Sequence, residues 1–467
     1  MKTWILAFRN LQRNRRRSST TLLAMVIGLT AVLLFGGYTR NINYGLQTSF
    51  VRYGGHLQIQ RRGYFLYGSG DPVSYGIADY ARIVDAVRGD PQLRSMVTVV
   101  TPVLAVNGIA GNFAAGVSRT VFGNGIVVDE QRRMREWNDY GFPIASGSLA
   151  LASTLPNAVV IGTGVARVLR LCTSLKVPNC RDPQPAQDAS SQPATPNDLV
   201  QLAAAESRSL HGDSPESRTA HIQLLTSNAY GAPNVAQLDV VAAQKQGVKD
   251  IDDMYVQLHL AQAQRLVYGG GQPRATSIVV QLRHTADIGR ARTALVALLK
   301  RTPGGNALDV LDFATLNPQY GQITGMFNAV FGFIAILMAT VVMFTVGNTM
   351  NMAVMERTHE IGTLRAMGLR DGGVSRIFVC EGCLLGLCGA VLGTLIALAG
   401  AALVNHAGLR WMPPGQTDSV ALTVRVWGET AMIARNALGI LLVATASAWL
   451  PARRASRMPI VEALRFS

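Results

Sequence analysis

Charge is scarce in this sequence, and acidic charge scarcer still. Asp, Glu, Lys and Arg together supply 15% of 467 residues, as 28 acidic and 43 basic side chains. Soluble domains carry about 25%, so an evenly wetted globular surface is not expected. Signatures of chemistry are missing too. No G-x-x-x-x-G-K-[ST] loop occurs: "GTGVARV" (162–168) and "GGGQPRATS" (269–277) lack the lysine and the strand–loop–helix setting that cradles phosphate. The chain is therefore not expected to hydrolyse ATP. "HEIGT" (359–363) begins like a zinc-protease motif, but Thr363 stands where the second histidine is required. The seven histidines are scattered and no Ser/His/Asp set is recognisable, so no catalytic residue, metal or cofactor is expected. Cysteines number five. Cys172 and Cys180 are close enough in sequence to form a disulfide in an oxidising compartment. Cys380, Cys383 and Cys388 sit among apolar neighbours and read as packing residues rather than metal ligands.

What the chain has is long apolar runs. Thr20–Thr39, Met326–Met350, Ile377–Val404 and Ala431–Leu450 each reach the roughly 18–20 residues that cross a hydrocarbon core. The net charge of +15 clusters beside them. Lys2, Arg9, Arg13, Arg15, Arg16 and Arg17 precede the first run. Arg357, Arg365, Arg370 and Arg376 separate the second from the third, and Arg453, Arg454, Arg457 and Arg465 follow the last. With a cytosolic N-terminus, all three basic segments fall inside, as the positive-inside rule demands. This distribution argues for a membrane and against nucleic acid. The first run is long and lacks a small-x-small cleavage site, so it reads as an uncleaved span. The expected fold is a four-span α-helical membrane protein with a large α+β domain inserted between spans one and two.

The expected divisions are an amphipathic N-terminal helix (1–19, with Trp4, Ile5, Phe8 and Leu11 at helical spacing), span one (20–40), the exterior domain (41–319), span two with an exterior stalk (320–353), a cytosolic helix and loop (354–376), span three (377–405), a short exterior loop (406–428), span four (429–450) and a cytosolic tail (451–467). Inside the exterior domain, β-branched runs at 56–60, 97–106, 118–123, 157–162, 221–226, 236–242, 276–282 and 307–313 read as strands. Stretches at 79–88, 129–139, 162–171, 260–268 and 286–301 read as helices. Residues 173–218, rich in Pro, Ser, Gln and Asp, read as an exposed, poorly ordered insertion. Nothing but tolerated glycines interrupts the helical pattern from Pro318 to Gly362, a rod of roughly 65 Å where a bilayer core takes about 30 Å. Span three carries Gly382, Gly386, Gly389 and Gly393, two small-xxx-small pairs that admit a second helix, within the chain or across a homodimer seam. Two polar positions stand out near span ends: Glu381, about one turn from Arg376, and Arg435 with Asn436. No polar file crosses the spans, which argues against an ion channel.

Between spans two and three, Ile361, Leu364 and Met367 recur at i, i+3, i+6 among charged residues. Arg357 and Glu360 stand at pairing distance on a helix, and Gly368 permits the chain to turn. This is the pattern of a helix that docks into a groove on a cytosolic partner. The same loop, "MERTHEIGTLRAMGLR" (355–370), resembles the cytosolic loop of the FtsX-like permease family, the membrane subunits of ABC transporters of the macrolide-exporter and lipoprotein-releasing type. "LAFRNLQRNRRRS" (6–18) and "PARRASRMPIVEALR" (451–465) resemble that family's opening helix and tail. The resemblance implies a bacterial inner-membrane location with both termini cytosolic, a periplasmic exterior domain, and a second permease copy or related chain. It implies a partner ATPase that binds ATP and Mg, with Glu356, Arg357, Glu360, Ile361, Gly362, Leu364 and Arg365 facing it. Membrane lipid and a periplasmic cargo or adaptor are the remaining expected partners. The expected function is mechanotransmission that moves lipoprotein or lipidic cargo toward the outer envelope. Efflux of a small amphiphile or peptide through an adaptor and duct, and activation of a periplasmic cell-wall hydrolase, are the alternatives.

Overall fold

The computed structural model describes residues 2–13, 15–142, 149–178, 180, 220–412 and 419–459. Most of the expected insertion and the end of the tail therefore lie outside the described residues, as do the side chains of Trp4, Ile5, Phe8 and Leu11. The chain separates into two compact units, Met1–Leu46 with Gln319–Trp411 and Val420–Ser467, and Gln47–Pro318 with Met412–Ser419.

In chain order, α1 (Lys2–Arg13) and α2 (Arg15–Gly54) come first. They are followed by β1 (Leu57–Arg61), α3 (Tyr80–Gly89), β2 (Val97–Asn112), β3 (Val117–Ile126), α4 (Val128–Arg135), β4 (Ala158–Gly162) and α5 (Thr163–Val168). Next are β5 (Ala220–Ser227), β6 (Pro233–Gln244), β7 (Tyr255–His259), α6 (Leu260–Tyr268), β8 (Ser277–Leu282), α7 (Ile288–Arg301) and β9 (Leu308–Asp312). The long helices α8 (Pro318–Glu356), α10 (Asp371–His406) and α11 (Thr430–Ser456), with the short α9 (Thr358–Ala366), follow, and a two-stranded pair, Arg410–Trp411 with Val420–Ala421, lies between α10 and α11. Among the described residues, four helices, α2, α8, α10 and α11, are long and apolar enough to cross a membrane.

The middle unit is α+β. Its strands run β3-β7-β4-β6-β5-β2-β8-β1-β9, and β2 also pairs with β3, which closes the first six into a ring. The length of β2 makes this possible. Val97–Val103 pairs with β8, whereas Leu104–Asn112 forms a hairpin with β3 and Ile109–Gly111 also meets β5. Each half of β2 therefore serves a separate core. Val106, Ile161, Leu224, Leu238, Val256 and Leu258 fill the ring, and α6 closes it with Ala263 and Leu266. Leu57, Ile59, Ile278 and Val280 form the other core with α3 and α7. Each fully buried Leu, Ile or Val contributes about 1.5–3 kcal/mol.

β7 is the strand that the pattern did not reveal. "YVQLH" is only five residues and runs straight into α6, so its period-2 alternation is hidden by the helical period beside it. The glycine-bearing "GTG" turn, which lacks a phosphate-binding lysine, cradles the chain's own carboxylate. Asp252, 3% exposed, accepts hydrogen bonds from the backbone N–H groups of Thr163 and Gly164, each at 3.0 Å, and from the Thr163 hydroxyl. The carboxylate satisfies donors that α5 leaves open at its start. Cys172 and Cys180 are disulfide-bonded, with Cα atoms 5.5 Å apart.

In the helical unit, α10 packs on α11 and α2 through its glycines. A Cβ at Gly382 would stand 2.5 Å from Ala448 Cβ, and one at Gly389 would stand 2.9 Å from Met25 Cβ. Both small-residue pairs are therefore used inside this chain.

Candidate functional site

The site lies where α8 ends. A rod unbroken to Gly362 is not what forms: α8 stops at Glu356, and Arg357 leaves helical geometry at φ −109° and ψ 15° before α9 begins. The Thr358 hydroxyl donates to the carbonyls of Val354 (3.1 Å) and Met355 (2.9 Å), satisfying acceptors that the ended helix leaves open.

The break turns Arg357 into the bundle. Its Nη1 donates to Glu381 Oε1 at 3.1 Å, with the two side chains 6% and 3% exposed. Asn10 Nδ2 donates to the same oxygen at 2.6 Å, and Arg357 Nη2 donates to the Asn10 carbonyl at 3.2 Å. Three elements thus meet in one charge-assisted cluster: α1, the α8–α9 junction and α10. Two sequence expectations are corrected here. Glu381 pairs with Arg357 rather than Arg376, and Arg357 pairs with Glu381 rather than Glu360. The reason is burial: an unpaired carboxylate inside the bundle is costly, and the inward-turned guanidinium meets it where the exposed Arg376 does not.

The acidic residues of the loop face outward. Glu360 Oε1 is 2.6 Å from Arg13 Nη2, and Glu356 Oε1 is 2.7 Å from Arg17 Nη1, all four side chains being at least 38% exposed. Exposed pairs of this kind are worth about 0–1 kcal/mol, so they can exchange partners. Arg365 is held from the side, with Nη2 2.8 Å from Asp371 Oδ1 and Nη1 donating to the Met458 carbonyl. Gly368, at φ 93°, ends the segment in the left-handed region.

The seven sequence-predicted positions therefore divide. Glu356, Glu360 and Leu364 are exposed and Arg365 is partly exposed. Arg357, Ile361 and Gly362 are buried, which corrects their expected place on the contact face. The expected ridge divides as well: Ile361 is 4% exposed and Met367 72%. At 3.6 residues per turn, positions i and i+6 lie about 120° apart, so one end of such a row faces the core. Asn10, Arg13 and Arg17 are site residues that sequence reasoning did not single out. Their partners lie more than three hundred positions away, and the only local signal was the complementarity of a basic start and an acidic loop. Arg435 lies on α11 beside a groove lined by Gly28, Val32 and Met338, outside this cluster.

Residues 332–460 match the FtsX-like permease C-terminal family model. The chain is similar to the lipoprotein-releasing system transmembrane protein LolC of Neisseria meningitidis, 29% identical over 244 residues, or 50% of this chain and 56% of that protein. An uncharacterized ABC transporter permease of Methanocaldococcus jannaschii is 27% identical over 48% of this chain and 54% of its own length. The macrolide export ATP-binding/permease protein MacB of Shewanella oneidensis is 29% identical over 42% of this chain and 28% of that protein. The chain spans about half the length of the first two relatives and less of the third.

Proposed function

We propose that this chain is the membrane subunit of an ABC transporter in the bacterial inner membrane, with both termini cytosolic and the α+β unit in the periplasm. A cytosolic ATPase subunit, which binds ATP and Mg, engages α9, and a second permease copy or related chain completes the assembly. Nucleotide-driven movement of α9 passes along α8 to the periplasmic side, where cargo is released or moved onward. The observation that carries the reading is the two-sidedness of the α8–α9 junction. Arg357 and Ile361 fasten it to the bundle, while Glu356, Glu360 and Leu364 are offered to a partner. A handle must be both fixed to the rod it moves and accessible to what moves it.

Lipoprotein or another lipidic molecule is the preferred cargo, in keeping with the similarity to a lipoprotein-releasing protein. Similarity to a macrolide exporter supports the second reading, efflux of a small amphiphile through a periplasmic adaptor. Depletion that strands lipoproteins in the inner membrane supports the first, and drug sensitivity without a sorting defect supports the second.

The docking role is tested by Leu364→Asp combined with Met367→Asp. Both side chains are exposed, so the chain is expected to fold and insert normally. Recovery of the ATPase with the purified chain should fall by about 30-fold or more, the loss typical of a contact worth 2 kcal/mol. Unchanged recovery and transport would remove α9 as the contact.

A further inference from the structure

We infer that the start of α2 forms a binding site for the phosphodiester headgroup of an anionic phospholipid. A cleft of about 650 Å³ opens between α1, α2 and the end of α8, lined by Arg13, Arg15, Arg16, Arg17, Thr20 and Glu356 among others. Four guanidiniums face one carboxylate there, an excess of three positive charges, or two once Glu360 on Arg13 is included. Arg17 is engaged by Glu356 and Arg13 by Glu360, whereas among the described residues neither Arg15 nor Arg16 pairs with a carboxylate. Guanidinium groups match phosphate oxygens in charge and in fork geometry.

What selects a lipid over a free anion is the surface that follows. Arg16, Thr20, Leu23 and Ile27 succeed one another at spacings of four, three and four, so they share one face of α2. Leu23 is 58% and Ile27 56% exposed. The cationic cleft thus continues into an uncovered apolar stripe in the order that a headgroup and its acyl chain require. The cleft shares Glu356 with the proposed ATPase contact face, but its lipid recognition rests on Arg15 and Arg16 and needs no ATPase, so failure of the docking reading leaves it untouched.

The test uses the full-length chain in neutral detergent. Retention of phosphatidylglycerol is followed by native mass spectrometry, beside phosphatidylcholine and water-soluble glycerol phosphate. Phosphatidylglycerol should be retained in preference to both. Arg15→Gln with Arg16→Gln should weaken it by about 30-fold, given roughly fivefold for each basic residue at a lipid surface, with phosphatidylcholine unaffected. Equal retention of the two lipids, or of phosphatidylglycerol by wild type and variant, would overturn the site. Glycerol phosphate binding as tightly as the lipid would overturn its lipid character. Should the variant not fold, the wild type still decides. Raising salt from about 0.05 M to about 0.5 M should erase the preference for phosphatidylglycerol, and a preference indifferent to salt would count against the site.

Discussion

At the scale of single residues, two buried polar groups are satisfied in different ways. Glu381 accepts hydrogen bonds from both Arg357 and Asn10 on one carboxylate oxygen. Breaking such a pair strands its partner, a loss of about 3–5 kcal/mol, whereas replacing both members with apolar groups is often tolerated. Glu381→Gln should therefore lower the melting temperature of the purified chain sharply. Arg357→Met with Glu381→Leu should recover most of the loss, and failure to recover would mean that the pair has more than a structural role. His56, by contrast, is kept neutral. It is fully buried, its Nδ1 accepts from the Leu282 N–H at 3.0 Å, and the Trp137 ring meets it edge-on. Burial pushes its pKa down to about 4. The unfolded chain then takes the proton first. The stabilisation is complete above pH ~6.5 and is lost progressively down to about 4, a span worth about 3 kcal/mol. Hydrogen exchange at Leu282, corrected for its intrinsic rate, should speed up as pH falls from about 7 to about 5. In His56→Gln that extra acceleration should be absent.

At the scale of elements, close approach of helices explains the glycines of α10. Gly382 lies against Ala448, and Gly386 is backed by Ala444. Gly382→Val puts branched carbon where Ala448 already stands, and overpacking of this sort costs about 1–3 kcal/mol. The variant should melt lower than wild type, whereas Gly439→Ala, with nothing within 4 Å of its added carbon, should not. An unchanged melting temperature for Gly382→Val would mean that the helices can separate without cost. The short α9 follows the same logic of packing over pattern. Its charges and its turn were visible in the sequence, but the direction each residue faces depends on the break at Arg357. That break answers to Glu381, on another helix.

At the scale of the whole molecule, α8 has 39 residues, close to 60 Å at 1.5 Å each, about twice a hydrocarbon core. Leu66 in the α+β unit and Met367 beyond α9 are both well exposed. In a background lacking the free cysteines Cys380, Cys383 and Cys388, an impermeant thiol reagent should label Leu66→Cys in cells with a permeabilised outer membrane only. Met367→Cys should react only once the inner membrane is opened too. Labelling of both from the same side would invalidate the topology.

The sequence by itself determined the four apolar helices, the placement of positive charge beside them, and eight of the nine strands of the large sheet, all of which are written in local periodicity and composition. Hydrophobic spacing is a property of neighbours in the chain, and neighbours are what a sequence displays. Only the tertiary structure decided that β2 serves two cores, that "GTG" holds Asp252, and that Arg357 turns inward to Glu381 while Arg13 and Arg17 take Glu360 and Glu356. A buried or half-buried charge takes whichever opposite charge the folded chain brings within reach. That choice is made by distance in space, which spacing along the chain does not encode.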